Sequence, residues 1–420
     1  MVKQGKGPTV VIGGGVIGAM CAWYLSKTGY DVTIVDRGLF ASGCSHGNCG
    51  YISPSHILPL TTPGAVRMAL RSMISSESPF YVKPRFSPAM WQWMWRFARR
   101  CNERDMLEAA DVLHPLLQSA KQLYIELIEG ERLDCEWQDT GIIFVFQSEH
   151  GFRHYEQIDS LLGKRYGVSA KPLDSRQLAA LDPALNPGLG GGWFYECDAH
   201  LRPDKLMAEM KRKLVERGVE ILENQPVESF VVEAGRARSV LTSQGEIEGA
   251  QFVVATGSWT PFLNRYLGRR VPIQPGKGYS LTMPRPTLCP KYSMIFEEHR
   301  VAITPMMSKF RIGSTMEFAG YDTTINPRRI ALLKKAAKLY LREPHLDLVE
   351  ETWYGWRPMT WDSKPFIDRA PAMSNTWVAA GHNMLGLSLA TVTGKLIAEL
   401  VNGDRPHLDV KPLSFARLMD

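Results

Sequence analysis

Nowhere does this chain hold an apolar run near the about 18 residues that a membrane-spanning helix needs. The apolar start at Val10 breaks at three glycines within a few residues, too soon for a secretory signal core, so a cytoplasmic protein is expected. Cysteine is sparse and unpatterned. The seven, Cys21, Cys44, Cys49, Cys101, Cys135, Cys197 and Cys289, are odd in number and include no Cys-x-x-Cys pair. That spacing argues against a disulfide framework and a zinc site, and no metal is expected. Neither sign of charge dominates: 49 Lys and Arg stand against 43 Asp and Glu, for a net +6. Because the basic residues are spread rather than gathered into a stripe, no nucleic-acid partner is expected; only weak attraction to an anionic membrane remains open. Repeats, low-complexity tracts and long linkers are missing too. At 420 residues the chain is too long for one ordinary core, which points to two intimately joined domains.

What the chain does have lies first between residues 10 and 36. Val10, Val11 and Ile12 suit a strand buried on both faces, and Gly13, Gly15 and Gly18 follow with the spacing G-x-G-x-x-G. Gly13 permits a tight turn, Gly15 lets a pyrophosphate approach the backbone, and Gly18 lets the next helix lie close to the strand. The N-terminus of that helix, with Val16 and Ile17, offers N–H groups and positive dipole to phosphate. The helix is predicted to run to about Thr28, with Gly29 as its stop and Val32 to Val35 as the next strand. Asp36 then stands where a carboxylate accepts hydrogen bonds from both hydroxyls of an adenosine ribose, and it disfavours a 2′-phosphate. A dinucleotide site follows from this order of elements.

Beyond Asp36 the pattern departs from a nicotinamide dehydrogenase. Ala41 to Ser53 is a loop of small residues able to run beside a long cofactor and offer it backbone N–H groups and hydroxyls. Phe252 to Gly257 reads as a buried strand ending in a glycine turn, and Thr376 to His382 as another. Leu385 to Val401 reads as a helix with Gly386 near its start, whose N-terminus faces an electron-rich ring.

Together with the fingerprint these segments resemble the glycine oxidase and D-amino acid oxidase class of FAD-dependent oxidoreductases. Within that class they are most similar to the D-amino acid dehydrogenases of the small-subunit type. The resemblance is carried by G-G-G-V-I-G at 13 to 18, S-x-x-N-x-G at 45 to 50 with Ile52-Ser53-Pro54, and Pro275 to Ser280. It continues in Gly355-Trp356-Arg357-Pro358 with Asp362 and Pro365, and in Gly381-His382 with Gly386 and Thr391. It spans about residues 9 to 405.

The fold this implies is α/β: a Rossmann-like FAD-binding domain of discontinuous segments (1–60, 198–270 and 355–420) and an α+β substrate-binding domain with a mixed or antiparallel sheet (61–197 and 271–354). FAD is the implied cofactor. The implied set that holds it is Gly13, Gly15, Val16, Ile17, Gly18, Asp36, Arg37, Ser45, Asn48, Gly50, Ile52, Val227, Thr256, Gly257, Gly381, His382, Gly386, Leu387 and Ser388. At His382 the backbone is expected to matter more than the imidazole.

A flavin accepts hydride at N5, so the protein's main work is to position a substrate C–H over the ring. An amino acid offers its carboxylate as a handle, and an arginine fork binds it with both charge and direction. Arg357, set between glycine-aromatic and proline-rich turns, matches the family arginine in that role. Tyr279 either offers its phenol to the same carboxylate or packs as a strand tyrosine. His46 faces the flavin, relays a proton or bonds covalently to the ring; the blander alternative is a histidine hydrogen-bonded to a nearby carbonyl. Glycine oxidases carry a second arginine shortly after Gly-His, where this chain has Asn383-Met384-Leu385.

The implied reaction is oxidation of the Cα–N bond of a D-amino acid, including cyclic ones such as D-proline or a hydroxyproline, to an imine. Two alternatives stay open: a secondary amine or glycine-type substrate such as sarcosine, and an FAD-carrying component of a heteromeric dehydrogenase. The electron acceptor is oxygen, a quinone or a partner protein, and no oligomeric state is implied. Finally, Trp91, Trp93, Trp95 and Phe97 with Arg99 and Arg100 form an aromatic, basic helix suited either to a membrane interface or to packing within the substrate domain, with packing preferred. Met306-Met307 is expected in the core or lining the pocket.

Overall fold

Strand Pro8–Ile12, its last four residues all buried, pairs in parallel with Asp31–Val35 on one side and Gln251–Val254 on the other. The computed structural model describes residues 6–67 and 80–418. Residues 68–79 of the expected substrate-binding half lie outside the described residues. Glu220–Leu222 extends the sheet past Asp31–Val35, Thr376–Ala380 extends it past Gln251–Val254, and Phe366–Arg369 closes the second edge antiparallel. With all but one of the six strands pointing the same way, the peptides after Ile12, Val35, Leu222, Val254 and Ala380 emerge along one edge. The chain leaves the first strand on one side and returns on the other, so the switch point falls between Pro8–Ile12 and Gln251–Val254. Ligands of such sheets sit in that crevice, outside the carboxyl ends.

Helix Val16–Lys27 covers this sheet with Ala390–Asn402 beside it. Their close approach rests on Gly394, where a Cβ would lie 2.5 Å from the Met20 carbonyl. The long helix Glu103–Glu131 packs on the same core. It is tied down by Thr391 donating to the Ala120 carbonyl (2.9 Å) and Tyr124 donating to that of Leu387 (2.8 Å).

A second, nine-stranded mixed sheet has along one side its long antiparallel strands, with Glu351–Met359 at the edge, then Gln274–Pro284, then Lys309–Phe318. Helix Pro327–Tyr340 packs on one of its faces through Leu333, Ala336, Ala337 and Tyr340, against Tyr279, Leu281 and Ile312. A small antiparallel sheet, Val227–Glu233, Arg236–Thr242 and Gly245–Glu248, flanks the first. This is the expected α/β architecture with a mixed second sheet.

Two local expectations are corrected. The last helix begins at Ala390 rather than Leu385, because Gly381 and Asn383 both adopt positive φ (81° and 53°) and the chain winds through turns before helical bonding starts. Gly355 to Pro358, expected as turns, lie inside one strand, hydrogen-bonded in register with Pro275 to Gly278.

Candidate cofactor and substrate site

At the carboxyl edge of the parallel sheet the glycines are held by close neighbours. Gly13 has φ 114°, and a Cβ there would lie 2.5 Å from the Ala255 carbonyl oxygen, which locks the first turn onto the strand at the switch point. Gly18 packs on the Gly13 carbonyl with no room for any side chain. The other glycines face space. A Cβ on Gly257 (φ 55°) meets nothing within 4 Å; on Gly15 it meets only Ser45 Oγ at 3.6 Å, and on Gly386 only His382 Cβ at 3.7 Å. The helix that begins at Val16 has no side-chain cap. Instead, Ser45 Oγ accepts from the Val16 N–H at 3.0 Å and so brings the 41–53 loop to the helix start.

Asp36 accepts from the N–H groups of Gly14 (2.6 Å) and Gly38 (2.8 Å). Burial raises its pKa, and those two bonds with the adjacent Arg37 oppose the rise. Arg37 lies 4.9 Å from the centre of the Trp259 ring. Val227 starts the small sheet, half-buried beside Leu222, and the nearby Gln225 N–H donates to the Asp36 carbonyl at 2.8 Å. Thr256 shares a hydroxyl bond with Thr260 (3.0 Å). Asn48 accepts from the Gly50 N–H (2.8 Å), and Gly50 (φ 83°) presses on the Leu201 carbonyl where no Cβ fits. Ile52 is buried beside Ala199. Ser388 donates to the Tyr51 carbonyl (2.8 Å), stitching the loop to the C-terminal turns. Leu387 is a core residue whose carbonyl is taken by Tyr124. His382 is buried with Nε2 3.0 Å from Thr393 Oγ1; burial pushes its pKa down to about 3, so the imidazole is neutral.

The same loop lies on the other face of the nine-stranded sheet, away from helix Pro327–Tyr340. Arg311 donates to the carbonyls of His46 (3.0 Å) and Asn48 (2.8 Å), Thr304 donates to that of Cys49, and Gly313 leaves room for the Cys49 sulfur. Alternation along Glu351–Met359 puts Glu351, Trp353, Gly355 and Arg357 on this face. Gly355 and Gly278 are register partners. The Arg357 guanidinium lies across Gly278 and the Trp353 indole across Gly355; a Cβ on either glycine would collide with them, and the indole also fills the space over Gly47.

Arg357 Nη1 donates to the Thr315 carbonyl at 2.7 Å, and among the described residues the guanidinium has no carboxylate partner. Burial pulls its pKa below the ordinary value. The ionisable groups facing it, Cys44 and Cys49, are pushed up by burial against its charge and remain thiols. The Thr315 carbonyl is turned onto it by a bulge: Ser314 (φ 119°) and Thr315 (φ 57°) both sit in the region that favours glycine, and the register with Gln274–Pro284 shifts there. Asn383, in place of an arginine, is a tie: it accepts from the Thr360 N–H (2.8 Å) and donates to the Gly381 carbonyl (2.9 Å). Its own N–H reaches the Pro358 carbonyl (3.1 Å), joining the C-terminal edge to the strand of Arg357.

Two expected site residues are not brought to Arg357. Tyr279 lies on the opposite face of the sheet, 1% exposed, with its phenol donating to Glu317; the expectation that it grips a substrate carboxylate is corrected, since odd-numbered positions of its strand face helix Pro327–Tyr340. His46 bonds Glu351 Oε1 through Nε2 at 2.7 Å, with both side chains 38% exposed. Six residues along the strand place Glu351 roughly 20 Å from Arg357 at the backbone, with Trp353 between. His46 is thus a hydrogen-bonded histidine, its partner a carboxylate rather than a carbonyl. Glu351, Arg311, Trp353 and Thr315 were missed; period-two alternation upstream of Arg357 would have found the first and third.

A family model described as FAD dependent oxidoreductase matches residues 9–400. The D-amino acid dehydrogenase of Paramagnetospirillum magneticum is 33% identical over 417 residues, covering 97% of this chain and 98% of that protein. That of Agrobacterium fabrum is 30% identical over 414 residues, covering 97% and 98%. The chain belongs to the FAD dependent oxidoreductase family. Among solved structures, the fold is shared with glycine oxidase from Geobacillus kaustophilus (TM-score 0.80, 21% identity, 98% of each chain covered). It is shared also with L-proline dehydrogenase from P. horikoshii (TM-score 0.74, 21% identity, 99% of this chain and 98% of that one).

The residues present fit FAD. Gly15, Gly257 and Gly386 come from segments that meet at one edge, and each faces space that a side chain would fill. The uncapped helix start has positive dipole and N–H groups suited to a pyrophosphate, and Asp36 keeps acceptor sites for ribose hydroxyls. The loop from Ser45 to Gly50 then runs from that helix to the face carrying Arg357, so a ligand lying along it reaches that face. FAD supplies, when bound, the acceptor for a hydride. Among the described residues no helix is long and apolar enough to cross a membrane.

Proposed function

We propose that this oxidoreductase removes hydride from Cα of a D-amino acid and leaves the corresponding imine. The carrying observation is Arg357: a half-buried guanidinium with no carboxylate partner among the described residues, laid on a glycine floor on the face that also holds the Ser45–Gly50 loop. Such a group is costly to bury unpaired, and a substrate carboxylate completes it with two parallel charged hydrogen bonds. The relatives named D-amino acid dehydrogenase support the substrate class and its hand.

In this reading Arg357 fixes the carboxylate, and the Thr315 carbonyl fixes Arg357. Trp353 walls one side and keeps the His46–Glu351 pair away from the substrate. Hydride loss needs a neutral amine; burial and the neighbouring guanidinium both lower the pKa of the substrate ammonium, which releases its proton to solvent. Water then converts an open-chain imine to a 2-oxo acid and ammonia, whereas a cyclic imine persists.

The test is anaerobic mixing of the purified yellow protein with both enantiomers of a broad amino acid panel that includes proline, hydroxyproline and sarcosine. Bleaching by D-amino acids supports the reading. Bleaching only by sarcosine and glycine, or by none, overturns it.

A further inference from the structure

Residues 80 to 102 contain no acid and five cations, Lys83, Arg85, Arg96, Arg99 and Arg100. Helix Pro88–Arg100 lies in this segment, and its two faces are both aromatic. The inner face buries Met90 and Trp93 with Met94 and Phe97 packed beside them; Trp93 stacks on Phe97 at 5.3 Å and donates from Nε1 to the Met359 carbonyl at 3.1 Å. The outer face exposes Trp91 (58%) and Trp95 (57%), one turn apart, and Phe86 just before the helix is 93% exposed. A helix that has already satisfied its core does not place two indoles in water for packing.

The charges beside these rings are largely uncommitted. Lys83 pairs with Asp322 (2.9 Å) and Arg100 with Asp105 (3.5 Å). Arg85, Arg96 and Arg99 have no carboxylate partner among the described residues. Arg99 stacks on Trp95 at 4.8 Å, Arg96 lies over Trp361 at 5.6 Å, and Arg85 lies against Gly320. The neighbouring Tyr321 ring meets Phe262, itself 64% exposed, at 5.1 Å, so the apolar surface continues past the helix.

We propose that the outer face of helix Pro88–Arg100, with Phe86, docks this protein on the surface of an anionic lipid bilayer. Indole and guanidinium groups settle together at the boundary between headgroups and acyl chains, and a segment with no acid of its own, which keeps three arginines without a carboxylate partner among the described residues, is attracted rather than repelled there. The occupant is a lipid surface rather than a protein because the exposed rings of Phe86, Trp91 and Trp95 stand beside the cations Arg85, Arg96 and Arg99, a pairing that complements an anionic headgroup layer over an apolar interior. Docking does not depend on the substrate assigned above. It would hold the strand of Arg357 near the membrane, since Met359, which anchors Trp93, is two residues away.

The experiment is flotation of the purified holoenzyme with vesicles of phosphatidylcholine alone and of equal parts phosphatidylcholine and phosphatidylglycerol, with tryptophan emission recorded in parallel. Flotation with the anionic vesicles only, a blue-shifted emission, and loss of both at high salt are expected. Phe86→Ser, Trp91→Gln and Trp95→Gln combined should lower vesicle affinity at least tenfold, and Arg99→Glu alone should lower it severalfold, both with unchanged turnover of a soluble dye. Failure of the wild type to float with either vesicle overturns the proposal. So does flotation that neither variant weakens, or a concentration-dependent dimer in the wild type that the triple variant abolishes while vesicles are ignored.

Discussion

Gly278 and Gly355 face each other across two antiparallel strands, and each supports a side chain that belongs to another residue, Arg357 on the first and Trp353 on the second. The pair forms a flat floor two strands wide. Neither glycine has a positive φ, so what is required there is the missing Cβ rather than backbone freedom. The site is thus sensitive to substitutions that the strands themselves would tolerate.

Gly278→Ala should therefore displace the Arg357 guanidinium while leaving the fold and the yellow colour intact. Arg357→Met should do the same more severely, since losing a buried charged pair costs about 2–5 kcal/mol. Steady-state kinetics with the best D-amino acid should show a fall of tenfold or more in kcat/KM for the arginine variant and a smaller fall for Gly278→Ala. Unchanged KM and kcat in both would remove Arg357 from substrate binding.

Gly15→Val separates occupancy from strain. Gly15 has φ −76° and ψ 179°, which valine adopts easily, and its missing Cβ faces only Ser45 Oγ. The variant should fold and purify colourless, because the side chain fills the space assigned to the pyrophosphate. The visible spectrum with a far-ultraviolet circular dichroism control reads this, and a folded yellow protein would refute the assignment.

Tyr279→Phe tests whether the phenol serves stability rather than substrate. Removing it leaves Glu317 short of a buried donor, which costs on the order of 1–3 kcal/mol of stability. KM for the substrate should stay unchanged within error, because the residue sits on the far face of the sheet. A marked rise in KM would return Tyr279 to the site.

Asp198 predicts a pH signature. Burial raises its pKa from the ordinary 3.8 to about 7, despite bonds from the Ser55 N–H (2.9 Å) and hydroxyl (2.5 Å). The folded protein then binds a proton that the unfolded chain has lost, so stability falls as pH rises from about 4 through about 7, at roughly 1.4 kcal/mol per unit at most. Asp198→Asn should flatten the slope of the urea midpoint across that window. An identical slope in wild type and variant would show that Asp198 ionises normally.

Much of the cofactor edge was legible in the sequence because its signals are local. Gly13, Gly15 and Gly18 follow a strand and open a helix, and each element bounds the next. The face carrying Arg357 was less legible. Gly355 and Pro358 look like turn formers, yet they lie in a strand whose neighbour, Pro275 to Gly278, is richer still in glycine and proline. Two such strands stabilise each other only through pairing that a single segment cannot display. The side on which Tyr279 falls depends on that pairing too, as does the bulge at Ser314 and Thr315 that aims a carbonyl at Arg357. Of the helix with Trp91, Trp93 and Trp95, the preferred packed reading describes Trp93, whereas Trp91 and Trp95 stand in solvent.

The central strand of the first sheet has a consequence for biogenesis. Pro8–Ile12 leaves the ribosome well before one of its two neighbours, Gln251–Val254, and before Thr376–Ala380, which extends the sheet beyond it. Until then a strand carrying Val10, Val11 and Ile12 has an unpaired edge, a state prone to aggregation that favours chaperone capture. Loading of FAD should accordingly wait for these strands, so nascent chains halted before Thr376 should emerge colourless.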